Sequence, residues 1–298
     1  MDDAQQSLHA EMAVQHWWFR GRRRILRTLV ESILPPDPNR LVVDVGCGPG
    51  ANLAALADAY ATAGVDPSPK AISLAKARIP SGRFFEGELT EAPADFDAGA
   101  SLYLLMDVLE HVSDDHLLLS TVFSRSKPGT HVLVTVPAHW PLWSSHDETL
   151  GHYRRYDQAR MESMWLGLPV SVRLVSYFNS RLYPPIRAVR WVASGLGRSA
   201  GRRGTDLWLP PNSINAFLED LFAGESERLE KCLSGDRTSG YKHGASLIAI
   251  LRLDEAGVEP RAKPDHLPPD RKPRFRRQTD QNLSDDQSHD QNSKGAVV

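Results

Sequence analysis

A glycine-rich segment near residue 46 carries the clearest chemical signal in the chain. The apolar run at residues 41–45 leads into glycines at alternate positions, Gly46, Gly48 and Gly50, and a helix-forming stretch, Ala51–Tyr60, follows. Glycine lets the backbone turn sharply there and lets a ligand approach the peptide groups without meeting a Cβ atom. The order of strand, glycine loop and helix predicts a binding loop for a nucleotide-like ligand.

The glycine spacing narrows the class of ligand. A dinucleotide fingerprint needs glycine at the position where Ala51 stands, so a pyrophosphate cradle fits this loop less well. A P-loop needs a Lys-Ser/Thr pair after the glycines, and the sequence has none there. The loop is therefore expected to bind a nucleoside-type ligand without phosphate recognition.

Acidic side chains follow the next two predicted strands. Asp66 ends one apolar run, and Glu88 with Leu89 follows the next. Ligands of open α/β sheets bind at the carboxyl ends of the strands, so these residues are expected beside the glycine loop. A carboxylate at Asp66 can accept both hydroxyls of a ribose, whereas the alternative role, capping the next helix, suits Ser68 better. Glu88 can accept from an exocyclic amine.

β-branched runs alternate with helical patterns along the body of the chain, as in βαβ units. The predicted strands are Leu41–Val45, Ala63–Asp66, Arg83–Glu86, Ala98–Leu104, His131–Val136, Val170–Phe178 and Ser246–Leu253. The further predicted helices are Pro69–Ala77, Asp114–Ser126 and Asp157–Leu166. This pattern predicts an α/β fold with a doubly wound, mostly parallel, seven-stranded sheet.

Three segments surround or interrupt that pattern. Residues 1–40 contain an arginine-rich helix, about Ala10–Ile33, and residues 41–253 form the main domain. Residues 179–245, between the last two strands, are too many for a hairpin loop and predict a helical cap. Residues 254–298 are polar and proline-rich with one aromatic residue, which predicts a disordered tail.

The composition excludes several classes of protein. The chain of 298 residues carries 35 basic and 37 acidic residues, so it lacks the basic field of a dedicated nucleic-acid binder. Its two cysteines are too few for a disulfide scaffold or a thiolate zinc site. The start of the chain lacks the basic and apolar regions of a secretory signal, which leads us to expect a cytoplasmic protein.

With these motifs the sequence resembles the class I S-adenosylmethionine (SAM)-dependent methyltransferases, in particular the type 11 group that includes the quinone-biosynthesis methyltransferases. The matching residues are Val43-Asp44-Val-Gly46-Cys-Gly48-Pro-Gly50, Val65-Asp66-Pro-Ser, Glu86-Gly-Glu88-Leu89, Phe96-Asp97 and Met106-Asp-Val-Leu-Glu110-His111-Val. The resemblance implies a Rossmann-like methyltransferase fold with SAM as cofactor. It places Asp44, Gly46 and Gly48 around the methionine part of SAM, Asp66 at the ribose, Glu88 with Leu89 at the adenine, and Cys47 and Met106 among the remaining contacts.

The amino-terminal helix resembles the lid helix of the same group. His16-Trp17-Trp18-Phe19-Arg20 is followed by three more arginines, and in the group one arginine can meet the cofactor carboxylate. We expect Arg24 to take this role, with Arg20 as the next choice. Alternatively, the aromatic residues only pack the helix on the sheet while the arginines remain solvated.

The segment after the fifth strand, residues 139–156, is dense in imidazole, indole, phenol and guanidinium groups and too irregular for a core element. Such a segment is typical of a pocket wall. We expect it to bind the methyl acceptor, although any single histidine there could instead be structural. The expected acceptor contacts are His139, Trp143, His152, Tyr153, Arg154 and Tyr156.

Methyl transfer to a hydroxyl needs a base to remove its proton, and histidine suits that task near neutral pH. The candidate bases are His111, just after the fourth strand, and His146, whose neighbour Asp147 cannot be assumed to orient it. Either histidine could instead be structural. No metal is required in principle, and we expect none.

The leading hypothesis is a SAM-dependent methyltransferase acting on a small or lipid-like acceptor, with oxygen as the methylated atom. Alternatives are a noncatalytic SAM-binding regulatory protein and, disfavoured by the glycine spacing, a NAD-dependent oxidoreductase. A nucleic-acid or protein methyltransferase stays open as an alternative, although residues 104–107 lack the amino-methylation motif and no nucleic-acid partner is expected. The arginines of residues 181–203 could meet anionic lipid, or could simply be solvated on a cap helix.

Overall fold

The computed structural model describes residues 12–195 and 208–264, and within them seven strands form one sheet in the order β3-β2-β1-β4-β5-β7-β6. The strands are β1 Asp37–Val45, β2 Tyr60–Asp66, β3 Arg83–Glu86, β4 Ala100–Met106, β5 His131–Pro137, β6 Val170–Phe178 and β7 Ser246–Leu253. Strands β1 to β5 pair in parallel, whereas β7 is antiparallel to both β5 and β6. The predicted doubly wound, mostly parallel sheet of seven strands is confirmed.

The direction of strand addition reverses between β1 and β4. From β1 the chain adds β2 and β3 on one side and β4 and β5 on the other. Such a reversal opens a crevice at the carboxyl ends of the two central strands. The loops after β1 and β4 therefore lie where an open α/β sheet binds its ligand.

Helices cover the sheet and connect its strands. They are α1 Trp17–Ile33, α2 Ala51–Ala54, α3 Pro69–Arg78, α4 Asp115–Ser124, α5 Ser145–Leu150, α6 Gln158–Glu162, α7 Tyr183–Gly195, α8 Asn212–Ala223 and α9 Ser226–Leu233. The predicted helix Ala51–Tyr60 is shorter than expected, because turns replace it after Ala54. The predicted helix Asp157–Leu166 divides into α6 and a 3₁₀ turn at Ser163–Trp165.

Both faces of the sheet are buried, as expected for parallel strands. Along β1, Val43 belongs to the apolar cluster on one face and Val42 to the cluster on the other. The second cluster also contains Leu26 and Leu29 of α1. Burial on both faces explains why the strands read as continuous apolar runs.

The insertion between β6 and β7 forms the predicted helical cap. Its helix α8 packs on α1, where Phe222 lies 6.1 Å from the Trp17 ring and against Gly21. Asn215 accepts from the Trp17 backbone N–H at 2.8 Å and donates to the Gln15 carbonyl at 2.9 Å. The amino-terminal helix and the cap are thus joined. Three of the arginines of residues 181–203 that could meet anionic lipid, Arg198, Arg202 and Arg203, lie outside the described residues.

The segment after β7 continues along the domain beyond the predicted start of the tail. The backbone N–H of Arg261 donates to the Ser120 hydroxyl at 3.0 Å, and that of Lys263 donates to Asp114 at 2.9 Å. The Arg261 side chain also donates to the Gly167 carbonyl. The expectation of disorder from residue 254 is therefore corrected for residues 254–264, and residues 265–298 lie outside the described part of the chain.

In the two described ranges, every helix is too short or too polar to cross a lipid bilayer.

Candidate active site

The glycine loop adopts a conformation that side-chain-bearing residues rarely take. Gly46, Gly48 and Gly50 have φ angles of 72°, 52° and 74°. A Cβ atom at position 46 would lie 2.7 Å from a methyl group of Val108, whereas one at position 48 would meet nothing within 4 Å. The loop thus packs tightly against the end of β4 on one side and leaves its Gly48 peptide accessible on the other.

Asp66, at the carboxyl end of β2, is fixed by backbone hydrogen bonds. One carboxylate oxygen accepts from the Gly48 N–H and the other from the Ser68 N–H, both at 2.9 Å. Each oxygen retains capacity for a further hydrogen bond. Ser68 itself caps α3 through the Ala71 N–H, so capping is not the role of Asp66. The carboxylate therefore lies next to the glycine loop, and its role at the ribose stays a prediction.

Asp44 is fully buried at the end of β1. Within the described residues neither of its carboxylate oxygens has a hydrogen-bond partner of good geometry. Burial raises the pKa of Asp44 to about 7, although the charge of Arg22 opposes this shift. Asn52 is the side chain that approaches this carboxylate, and among the described residues it leaves the hydrogen-bonding capacity of Asp44 incompletely used. Such a buried carboxylate beside an accessible glycine peptide fits a ligand that brings a hydrogen-bond donor or a positive charge, and the ammonium group of SAM is such a donor.

Arg22 is the buried arginine of α1 and lies at this edge of the sheet. It forms an ion pair with Asp107, which follows β4, and its guanidinium lies 4.4 Å from the centre of the Trp18 ring. Asp107 has a φ of 58° and also accepts from the Thr135 hydroxyl at 3.2 Å. Arg22 therefore joins the lid helix to the ends of the central strands.

The arginines expected to meet the cofactor lie elsewhere. Arg24 pairs with Asp220 at 2.5 Å and with Glu219 at 3.6 Å, and Arg20 pairs with Glu219 at 2.7 Å. Two residues correspond to about 200° around a helix, so Arg24 and Arg22 face opposite directions. The position of Arg22 at the sheet edge favours it over Arg24 for contact with the cofactor, and the role of either arginine stays a prediction. The spacing of Arg22 from the buried residues Ile25, Leu26 and Leu29 could have identified it.

The remaining predicted cofactor residues differ in how exposed they are to solvent. Leu89 and Met106 are buried next to the sheet edge, whereas Glu88 is exposed and its backbone N–H donates to Glu91 at 2.8 Å. Cys47 is buried, and burial raises the pKa of its thiol far above the usual range. Cys47 is thus a packing residue of the loop and not a reactive thiol.

The segment after β5 is organised around Asp147, which is fully buried. Its carboxylate accepts from His152 Nδ1 at 2.9 Å, from Arg155 at 2.8 and 3.0 Å, and from the Ser144 backbone N–H at 2.9 Å. Burial acts to raise the pKa of Asp147, but the charge of Arg155 and the bond from His152 outweigh it and lower the pKa well below its usual range. Asp147 therefore orients His152 and not its neighbour His146.

The histidines of the predicted acceptor region lie close to one another. The His111 and His152 ring centres are 4.6 Å apart, and those of His146 and His152 are 6.4 Å apart. The backbone N–H of Tyr153 donates to the Glu110 carbonyl at 2.7 Å, which holds the acceptor segment against the turn after β4. The structure thus brings both candidate bases together around His152.

Glu110 adds a carboxylate to this group. Single ligand atoms of Glu110, His111 and His152 all lie within 4.8 Å of one another. Glu110 is buried, and among the described residues its Oε2 atom has no hydrogen-bond partner. One carboxylate with two imidazoles can bind a divalent transition metal. The expectation that the site needs no metal stays a prediction.

Three expected acceptor contacts lie at or near the surface. Tyr153 is 51% exposed, and Trp143 is partly buried with its ring stacked 4.7 Å from that of Trp140. The His139 ring stacks on Tyr177 at 4.9 Å, and burial lowers its pKa. These side chains remain candidates for acceptor contacts.

Arg154 and Tyr156 have structural roles inside the domain. Arg154 donates to the carbonyls of Leu109, Val112 and Ser113 at 2.7–2.9 Å, and the Tyr156 hydroxyl donates to Asp115 at 2.9 Å. Both side chains are almost inaccessible to solvent. This corrects the expectation that they line the acceptor pocket, because they fix the segment from behind.

Comparisons with known proteins agree with this architecture. A family model described as a methyltransferase domain matches residues 6–182. A trans-aconitate 2-methyltransferase of Deinococcus radiodurans is 32% identical over 131 residues, which cover 42% of this chain and 48% of that protein. A ubiquinone biosynthesis O-methyltransferase of Thiobacillus denitrificans is 31% identical over 145 residues, which cover 43% of this chain and 60% of that protein. The chain therefore spans about half of the length of the curated relatives it matches.

A solved structure extends the comparison of folds over most of the chain. A chain of the complex between the Haloferax volcanii Trm112 methyltransferase activator and a methyltransferase has a TM-score of 0.51 and 17% sequence identity. The match covers 86% of this chain and 96% of that chain. At this identity the match indicates a shared fold.

Proposed function

The chain belongs to the methyltransferase-domain family, whose cofactor is SAM, and we propose which group it methylates. The proposed reaction transfers a methyl group from SAM to an oxygen atom of a small or lipid-like acceptor. SAM supplies a methyl group on a sulfonium, which an acceptor lone pair displaces in line. The protein then has two tasks, which are to hold the donor at the sheet edge and to position and deprotonate the acceptor.

The donor task is assigned to the ends of β1 and β2 and to α1. The Asp66 carboxylate accepts the two ribose hydroxyls with the lone pairs that its bonds to Gly48 and Ser68 leave available. Asp44 offers the remaining hydrogen-bonding capacity of its buried oxygens to the ammonium group, and Arg22 offers its guanidinium to the carboxylate of the methionine part. Charged hydrogen bonds in a buried site each contribute about 1.5–3 kcal/mol.

The acceptor task is assigned to the histidine group, with His152 as the base. Its Nδ1–H donates to Asp147, which leaves Nε2 as the proton acceptor. A base held by a buried carboxylate is the arrangement used for proton removal in nucleophilic catalysis. His111 and His146 flank this ring, so the bases predicted from sequence are its neighbours.

The observation that carries the proposal is the pair of oriented carboxylates, Asp66 beside the glycine loop and Asp147 bonded to His152. The test is calorimetry with SAM followed by a screen of hydroxyl-bearing small molecules and lipids for S-adenosylhomocysteine release. Micromolar or tighter SAM binding with acceptor-dependent release supports the proposal. Tight SAM binding with no release from any acceptor or cell extract would favour a noncatalytic SAM-binding protein.

A second candidate for acceptor activation is favoured by the buried Oε2 atom of Glu110, which has no hydrogen-bond partner in the described part of the chain. With His111 and His152, Glu110 could hold a divalent cation, which would act as a Lewis acid towards an acceptor oxygen. Turnover measured after chelation and again after addition of Mn²⁺ or Zn²⁺ separates the two routes. If turnover survives chelation, His152 removes the acceptor proton without help from a metal ion. If turnover is lost on chelation and restored by the added cation, the cation activates the acceptor oxygen.

A further inference from the structure

Helix α7, Tyr183–Gly195, is the first helix of the cap and is attached to the domain along one side. Ile186 packs against the core cluster that contains Leu182. The Arg190 guanidinium donates to the Leu142 carbonyl at 2.5 Å, and the Tyr183 ring lies 5.2 Å from that of His139. The helix therefore lies directly beside the segment assigned to the acceptor.

The other side of α7 exposes large apolar side chains. Trp191 is 79% exposed, Val189 is 54% exposed and Val192 is 52% exposed. Trp191 and Val192 lie about 140° and 240° around the helix from Ile186, so they point away from the domain, whereas Val189 lies about 60° from Ile186, at the border of the attached side. Tryptophan is enriched where a protein meets the polar boundary of a bilayer, because its ring is apolar and its N–H is polar.

The charge of α7 identifies what would cover this side. The helix has two arginines, Arg187 and Arg190, and no acidic residue, and Arg187 is exposed next to the apolar side chains. An apolar strip with cationic residues at its border suits an anionic lipid surface. Three apolar side chains on one short helix provide far less than the roughly 800 Å² that each partner of a stable protein pair buries.

We propose that α7 is an interfacial helix that lies on an anionic membrane surface, with Trp191 and Val192 among the lipid headgroups, Val189 at the border of this face and Arg187 against the negative charges of the headgroups. Membrane attachment itself is independent of the proposed methyl transfer. Only its consequence rests on that function, namely that a lipid-like acceptor would reach the histidine group from the membrane side. Of the expected lipid contact at residues 181–203, the structure describes the side chains of residues 181–192.

The test is flotation of the full-length chain with two kinds of vesicle, phosphatidylcholine alone and phosphatidylcholine with about 30% phosphatidylglycerol. We expect binding to the anionic vesicles at least fivefold tighter than to the neutral ones. A double variant, Trp191→Ser with Val192→Ser, should weaken anionic-vesicle binding at least tenfold. Arg187→Glu should weaken binding to anionic vesicles at least fivefold, and the remaining binding should depend much less on salt concentration.

Leu166→Ser is the matched control, because Leu166 is also 51% exposed. It precedes β6 at Val170, whereas α7 follows β6 after Phe178, so the two sites lie at opposite ends of that strand. The control should bind vesicles as the unchanged chain does. Calorimetry with SAM on every variant separates membrane attachment from donor binding, because α7 carries no assigned donor contact.

Three outcomes would overturn the proposal. The unchanged chain could fail to float with anionic vesicles, or the double variant could float as well as the unchanged chain. Alternatively, sedimentation velocity could show a dimer that the double variant abolishes, in which case a second copy covers the helix. Loss of vesicle binding with unchanged SAM affinity in the double variant, and neither loss in Leu166→Ser, would support it.

Discussion

The donor side and the acceptor side of this site are built in different ways. The donor side uses backbone groups and carboxylates at consecutive strand ends, with Asp66 bonded to the glycine loop 18 residues before it. The acceptor side uses the irregular segment after β5, which Asp147, Arg154 and Arg155 hold through buried side-chain bonds. Strand ends orient their residues through the sheet, whereas an irregular segment needs its own network to become rigid.

The difference has an energetic consequence. Removing one partner of a buried ion pair leaves an uncompensated charge and costs roughly 3–5 kcal/mol. Substitutions of Asp147 or Arg155 are therefore expected to unfold the acceptor segment, while substitutions at the donor edge affect ligand binding first. The variants below are chosen to change function on one side without breaking the network on the other.

The largest expected effect concerns the base on the acceptor side. His152→Ala should lower turnover by roughly 10²-fold and leave SAM affinity within about twofold, because it removes the proton acceptor and no donor contact. Steady-state kinetics on an identified acceptor, with calorimetry for SAM, provide the measurement. His111→Ala and His146→Ala are the comparisons. A larger loss in either of them would move the base to that histidine, as the sequence predicts.

On the donor side, Asp66→Ala should weaken SAM binding by about 10- to 100-fold, since charged hydrogen bonds to the ribose are lost. Asp58→Ala is a suitable control, because Asp58 is an exposed carboxylate that pairs with Arg27. Titration calorimetry measures both affinities. Equal affinities for the two variants would remove Asp66 from the ribose site.

The buried carboxylate of Asp44 should make the ligand-free protein sensitive to pH. Because its pKa is raised to about 7, the folded chain keeps a proton that the unfolded chain releases near pH 4. Stability is therefore lost as the pH rises towards 7, by about 2 kcal/mol between pH 5 and pH 7. Denaturant unfolding of the unchanged chain and of Asp44→Asn measures the difference. If the free energy of unfolding depends on pH in the same way in both proteins, the Asp44 carboxyl does not have a raised pKa.

The contact of the lid helix with the cofactor can be tested at two arginines of α1, Arg22 and Arg24. Arg22→Met should weaken SAM binding by about tenfold, whereas Arg24→Met, which removes pairs with Glu219 and Asp220, should leave it within about twofold. Calorimetry is combined with a melting curve, because Arg22 is buried. The reverse order of effects would restore Arg24 as the cofactor arginine.

The smallest expected effect separates the docked segment from the rest of the tail. Ending the chain after residue 264 should leave the melting temperature nearly unchanged, whereas ending it after Asp254 should lower it by a few degrees. The second truncation removes the bonds of Arg261 and Lys263 to Ser120 and Asp114. Differential scanning calorimetry of both truncations decides the matter. Identical melting temperatures would mean that the docked segment contributes nothing to stability.

Local sequence determined the sheet and the donor edge. Each strand is an apolar run whose burial on both faces follows from parallel pairing. The glycines after β1 and the acid after β2 occupy fixed positions relative to their strands, and parallel strands bring those positions to one edge. All seven strands and the location of Asp44, Asp66 and the glycine loop were therefore predictable before the fold was known.

The tertiary structure decided which side chains of the other elements face that edge. For α1, the spacing of Arg22 from Ile25, Leu26 and Leu29 indicates which arginine faces the sheet, but the ion pairs of Arg24 with α8 follow only from the tertiary packing. Asp147 binds His152 and not the adjacent His146, because a short helix and a turn carry His152 back to it. Arg154 and Tyr156 point inwards for the same reason. Pairings between residues without a shared periodicity depend on the path of the whole chain, and sequence spacing does not encode that path.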